Sequence, residues 1–377
     1  MNHLKYLIKK VRNAWISNTL WDKSFRFFGN QVSRYIIIPI KSLFRSTKNL
    51  QINLTDGYKD HRGNINFVQI KPEQIARIIK AYKRAKLYQA EKSQEFKIKG
   101  LWDEWLNVNF KELISALENE DIKLLGKLFN NIIREQCTLG LGGYDEWLRF
   151  NRPFGKSYIK EMRVNYYKKL IDLQGDQGIT FPKVGNPCGI IYKQNVIPIE
   201  SLRHAYRAQE IKNCLSDLEK KVIVEIGGGY GGLGFQLAEK FKEFKDTKFM
   251  LFDIPEVLAI SSAFLITSLP NKKIKLYGEV SSANANGDFE VGIFPHFEID
   301  ELENSSVHLF YNSCSFSEMD EACSRKYLSV IERCCLKYFM HDNHDNVFSF
   351  RQADGSVSRN VIGSKLIPDP STFKLIY

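Results

Sequence analysis

No C-x-x-C pair and no other metal-ligand spacing occurs among the seven cysteines of this 377-residue chain: Cys137, Cys188, Cys214, Cys314, Cys323, Cys334 and Cys335. An odd number without such spacing argues for reduced thiols in a cytosolic protein rather than a disulfide framework. Long apolar runs are missing too. The longest near the N-terminus, Tyr35–Ile40, stops at six residues and contains Pro39, too short to span a bilayer. A secretory leader is not expected, because its apolar core and small-residue cleavage site are absent.

Acid is what the N-terminus lacks most. Asp22 is the single carboxylate in the first 48 residues, among Lys5, Lys9, Lys10, Arg12, Lys23, Arg26 and further bases. The net charge of +11 is therefore uneven: residues 1–100 hold 21 Lys+Arg against 6 Asp+Glu, and the remainder 33 against 37. A mildly acidic remainder argues against nucleic acid running through a site there, and no nucleic-acid partner is expected. The basic segment 1–50 interleaves Leu4, Trp15, Trp21, Phe25 and Phe27 with its charges. That pattern suits a peripheral segment on an anionic membrane surface; an arm packed on the body or on a second subunit is the competing reading.

What is present is a globular composition, 44% hydrophobic and 13% aromatic. Residues 51–200 carry mainly helical periodicity, with helices expected at about 71–95, 101–117, 121–135 and 157–173, the last carrying Arg163, Tyr166, Tyr167 and Lys168. Leu139–Gly143 is a glycine-rich break with no strand before it, hence a loop rather than a phosphate cradle. A short strand-like piece follows near 190–198, then a helix at 202–211.

Residues 201–377 alternate strand and helix patterns, which predicts an α/β fold with a doubly wound, mainly parallel Rossmann-like sheet after a helical N-terminal region. Strands are expected at 222–226, 249–252, 274–277, 307–311 and 336–340, and helices near 256–268 and 319–334. The tail after Ser349 suits closing antiparallel strands.

The informative stretch is Val222–Leu258. A β-branched run, Val222–Ile226, breaks into Gly227, Gly228, Gly229, Gly231, Gly232 and Gly234, and a second apolar run ends on Asp253. This is a βαβ unit with a glycine-rich first turn and an acid at the second strand tip, suited to a nucleoside whose ribose diol meets the carboxylate. Two cofactors compete. Gly227, Gly229 and Gly232 satisfy G-x-G-x-x-G, which leaves a dinucleotide open. Glu225, two residues before the first glycine, favours S-adenosylmethionine, because a pyrophosphate is repelled by a neighbouring carboxylate and an ammonium is attracted by it.

The string VEIGGGYGG resembles the first motif of class I S-adenosylmethionine-dependent methyltransferases, and FDIPEV resembles the strand tip of O-methyltransferases. Together with Gly185-Asn186-Pro187, Leu202-Arg203-His204-Ala205-Tyr206 and YNSCSFSEM, the ensemble resembles bacterial sugar O-methyltransferases of lipopolysaccharide, capsule and other surface-polysaccharide clusters. The resemblance covers roughly residues 150–345. It implies cofactor contacts from Glu225, Gly227, Gly229, Tyr230, Asp253 and Ile254, with Asn312 and Ser313 flanking the methionine or substrate end. It also implies a sugar or polysaccharide acceptor, lipid-linked in one form, and a cytoplasmic enzyme at the inner face of the membrane.

Polar clusters follow two expected strands, where loops reach a pocket. His341 is the first choice for general base and Glu318 the alternative. Arg203, His204 and Tyr206, on the helix before the first strand, are expected to reach substrate. A divalent-metal site at Asp342, Asn343 and His344 is a further reading, but the spacing does not indicate one. Three other functions stay open: a nicotinamide-dependent oxidoreductase on a sugar nucleotide, an RNA methyltransferase, and a non-catalytic S-adenosylmethionine-binding partner.

Overall fold

The computed structural model describes residues 54–92, 96–98, 101–159, 179–192, 194–242, 246–283, 287–351 and 357–376. The basic N-terminal segment and residues 160–178, which include Arg163, Tyr166, Tyr167 and Lys168, lie outside them. The chain divides into two compact units, 52–147 with 167–377, and 1–51 with 148–166. In the second, Phe154 adopts φ 61° and opens a single helical turn, Gly155–Tyr158.

In the first unit the helical region comprises α1 (Pro72–Gln89), α2 (Leu101–Asn109), α3 (Lys111–Glu118), α4 (Ile122–Phe129) and the start of α5 (Tyr144–Asn151). Pro72 begins α1 where its missing amide costs nothing, and Ile75, Ile78, Ile79, Tyr82 and Ala85 form its buried stripe. The expected helix at 101–117 is two helices, and the one at 121–135 ends at Phe129. A small hairpin follows, β1 (Ile190–Tyr192) against β2 (Asn195–Ile197), and then α6 (Ile199–Cys214).

The sheet contains β3 (Lys221–Ile226), β4 (Thr247–Asp253), β5 (Ile274–Leu276), β6 (Val291–Pro295), β7 (Val307–Ser313) and β8 (Cys335–Asp342). Their order is β5-β6-β4-β3-β7-β8, and every pairing is parallel. β3 is buried at all six positions, as befits a central parallel strand whose apolar run is interrupted only by Glu225. Helices α7 (Gly232–Lys240), α8 (Pro255–Ser268) and α9 (Glu321–Cys334) complete the crossovers. α8 is buried on all sides from Pro255 to Thr267, mostly through apolar residues, and α1 covers it.

Two expectations need correction. β6 is an addition to the expected strands: Val291-Gly292-Ile293-Phe294 is too short to carry a period, yet it takes the place beside β4 and pushes β5 to the edge. The tail does not close the sheet with antiparallel strands. Its β9 (Ser349–Arg351) and β10 (Val357–Arg359) pair only with each other among the described residues.

Gly185-Asn186-Pro187 forms a structural knot. Asn186, at φ 53° and 2% exposed, donates to Asp60 (3.1 Å) and Asn131 (2.6 Å) and accepts from the His61 amide (2.9 Å). Buried Arg134 donates to the carbonyls of Tyr58 (3.1 Å), Asn186 (2.8 Å) and Pro187 (2.8 Å), and stacks over Trp147 at 4.5 Å. Replacing Arg134 by Ala would leave those carbonyls buried and unpaired. The fold is expected to lose about 3 kcal/mol, read as a lower urea midpoint with an unchanged slope. A wild-type midpoint would remove the knot's structural role.

Candidate functional site

The site lies where the carboxyl ends of β3, β4, β7 and β8 meet, at the crevice between β3 and β7 where the chain's winding reverses. β3 leaves the sheet through Gly227 (φ 73°), Gly229 (φ 56°) and Gly231 (φ 90°), left-handed positions that suit glycine. Space is as restrictive as conformation. A Cβ on Gly227 would come within 2.3 Å of Ser315 Oγ, and one on Gly228 within 2.6 Å of Leu251 and 2.9 Å of Glu225 Oε2.

The two acids expected to hold a cofactor are both present at this turn. Asp253 accepts the Gly229 amide on Oδ2 (3.0 Å) and its neighbour Ile254's amide on Oδ1 (2.8 Å). Burial nevertheless pushes its carboxyl up to about 7, against those two hydrogen bonds. Glu225 is 4% exposed, and its Oε2 is buried with no hydrogen-bond partner among the described residues. Burial, then the nearby Asp253 charge, pushes it to about 8. A buried acid under a glycine turn, lacking a counter-charge, fits a ligand that brings a cation.

The rest of the expected set divides. Tyr230 turns inward, its ring edge-on to Phe264 (5.1 Å) and its hydroxyl 3.4 Å from His204 Nδ1. His204 thus packs beneath the turn, where burial lowers its pKa to about 3. Arg203 reaches the β7 end: it pairs with Glu200 (2.9 Å) and lies 4.0 Å from Cys314 Sγ. Tyr206 stays beside Arg207, whose guanidinium lies 5.5 Å from its ring. Arg207, one helical turn after Arg203, bridges Glu210 (2.5 Å) and Asp342 (2.9 Å). The sequence reading passes over it, although that helical spacing is visible there.

Asn312 is fully buried and ties strands together, donating to the Ile226 carbonyl (2.8 Å) and accepting from Asn343 (2.8 Å). Ser313 is half-buried, next to Cys314 at φ 64°. His341 leans on Phe339 (5.2 Å), with Nδ1 3.5 Å from Asn343 and the Leu366 carbonyl also bonded to it. Burial lowers its pKa. Asp342, Asn343 and His344 point to different partners: Arg207, the Asn312–Ser317 pair, and the Asn346 amide with the Phe348 ring. Among the described residues no group of three His, Cys, Asp or Glu could hold a metal ion.

Glu318 behaves differently. Its Oε2 accepts the Trp102 indole N–H (3.1 Å), its Oε1 has no partner among the described residues, and burial pushes it to about 7. Trp102 and Trp105 pack edge-on at 5.7 Å, Trp105 fills the space beside Gly140, and Leu141 lies against Gly229. The helical region and the Leu139–Gly143 loop therefore line the site. Sequence reasoning misses these residues because an apolar helix pattern carries only a packing signal.

No family model and no curated protein matches the chain. Among solved structures it is similar to LepI in complex with SAM (12% identity, TM-score 0.25, 91% of this chain and 83% of that one). It is similar to human N-acetylserotonin methyltransferase in complex with SAM (13%, 0.23, 59% and 55%). A third match is a candidate RNA methyltransferase from Pyrococcus horikoshii (19%, 0.25, 46% and 71%). Similarity at this level transfers neither substrate nor chemistry. No helix among the described residues is long and apolar enough to cross a membrane.

The three carboxyls raised at this site fix a pH dependence. Each holds its proton in the folded chain to higher pH than in the unfolded chain, where 3.8 or 4.5 applies. Their contribution to stability therefore falls as pH rises from about 4 to about 8, while buried His204 and His296, held below their ordinary 6.5, contribute in the opposite sense up to that value. Above about pH 7 the histidines are neutral in both states and the acids act alone: urea midpoints should decline from about pH 7 to about 8, and Glu225→Gln should flatten that decline. Midpoints that climb over that range would refute the uncompensated burial of these acids.

Proposed function

We propose that the chain is an S-adenosylmethionine-dependent O-methyltransferase that methylates a sugar hydroxyl of a bacterial surface glycan or its lipid-linked precursor. One observation carries the cofactor: Glu225, buried and unpartnered among the described residues beneath a glycine turn whose next strand ends on Asp253. When bound, S-adenosylmethionine supplies an electrophilic methyl group. Glu225 offers its unpaired carboxylate to the ammonium, and Asp253, fixed by two amides, presents its remaining lone pairs to the ribose diol. The glycines give the backbone close approach, and Leu141 packs against Gly229. Glu318, with one oxygen held and one free, takes the acceptor's proton. His341 is the weaker choice because its ring already has protein partners. A dinucleotide pyrophosphate would face three uncompensated acids, which disfavours it.

The acceptor follows from charge. Arg203 and Arg207 are each paired within the protein, which leaves Glu225, Asp253 and Glu318 as the uncompensated groups. A neutral hydroxyl suits that cleft better than a phosphate-bearing strand. The sugar itself rests on the motif resemblance. In this reading the basic segment 1–50 holds the enzyme to anionic membrane, and equal vesicle binding with and without that segment would remove the membrane step.

Calorimetric titration with S-adenosylhomocysteine tests the cofactor. Binding should release about one proton near pH 7 as Glu225 gives up its proton to meet the ammonium. Glu225→Gln should weaken binding roughly 10- to 100-fold and remove that release. Binding of NAD alone would replace this reading with an oxidoreductase.

A further inference from the structure

Among the described residues, Trp102 is the one side chain of the helical region that donates a hydrogen bond to a proposed reacting group. We infer that Trp102 is the positioning residue for Glu318: its indole N–H holds Oε2 so that Oε1 faces the acceptor hydroxyl. The inference rests on the methyltransferase reading for its chemistry, but its geometry stands independently of it. Tryptophan donates and cannot accept, so it always satisfies Oε2 and leaves Oε1 as the atom that gains a proton. The indole is itself fixed, edge-on to Trp105 (5.7 Å) and to Phe110 (6.2 Å), the latter fully buried. A held donor fixes the carboxyl plane, which a half-buried acid after a one-turn helix, Ser315–Glu318, would not otherwise keep.

The chemistry balances. The acceptor oxygen bonds the methyl carbon as the carbon–sulfur bond breaks, the sulfonium becomes a neutral thioether, and the hydroxyl proton moves to Glu318 Oε1. The hydrogen bond also sets when Glu318 ionises, since a donor to a carboxylate favours the charged form and opposes burial. Among the described residues, Asp253 of β4 is the charged group of another element that couples with Glu318, and Glu256 of α8, which also acts on Asp253, is paired with Lys86 at 2.8 Å.

The test needs no acceptor. The 377-residue chain has five tryptophans, so the nitrogen-15 indole spectrum can be followed from pH 5 to 9, with Trp102 assigned by its loss in Trp102→Phe. The Trp102 signal should move with one midpoint, and Glu318→Gln should abolish the movement. In Trp102→Phe the Glu318 carboxyl carbon, assigned by its loss in Glu318→Gln, should titrate about half a unit higher or more. A Trp102 signal that does not titrate, one that still titrates in Glu318→Gln, or an unmoved Glu318 midpoint would overturn the inference. If Trp102→Phe fails to fold, the Trp102 indole signal is assigned instead by triple-resonance correlation in the wild-type protein, and the wild-type and Glu318→Gln titrations decide it. Absence of S-adenosylhomocysteine binding would remove the reaction while leaving this coupling measurable, so the two failures are distinguishable.

Discussion

A hydrogen bond from the Gly229 amide to the Asp253 carboxylate ties the ends of β3 and β4 at the site. The Gly227 amide adds a second tie to the Phe252 carbonyl at 2.8 Å. Because both ties use backbone amides of the turn, the turn cannot relax without freeing a buried acid. The left-handed glycines, the covered Glu225 and the start of α7 are consequences of that closure.

Burying carboxyls without counter-charges is costly, and the fold tolerates it at Glu225, Asp253 and Glu318 while compensating elsewhere. Arg203, Arg207 and Lys86 all have acids, and buried Arg134 has carbonyls. Among the described residues three such carboxyls meet in one crevice, whereas Glu135, also raised by burial, lies in the helical region and accepts from the Asn131 amide. A structural role would be served better by apolar residues of similar volume, so such a concentration marks a place where a ligand completes the electrostatics.

The sheet was legible because most of its strands are short, mainly apolar runs and its first turn is written in glycine. The acids were legible because their chemistry is local: a carboxylate two residues before a glycine turn, another at a strand tip. Trp102 was not legible. Its role depends on a contact with Glu318 across 216 positions of sequence, which no period can encode. Asn312 shows how a polar residue at a strand end can serve the fold: its amide bonds the Ile226 carbonyl and Asn343. β6 escaped because Gly292 and Pro295 disguise it; its glycine accommodates Phe294 and Phe289, which fill the space a Cβ would need.

The same distinction separates the two families of histidine and acid at the strand ends. His204 and His296 are deeply buried, held neutral by burial, with His296 bonded to the Phe96 carbonyl at 2.7 Å. They brace the site from below. Glu318 has one oxygen anchored and one free, at the end of the one-turn helix that follows the switch-point strand. A group that must exchange a proton needs a partner that never leaves and a face that does, and among the candidates at these strand ends Glu318 has both.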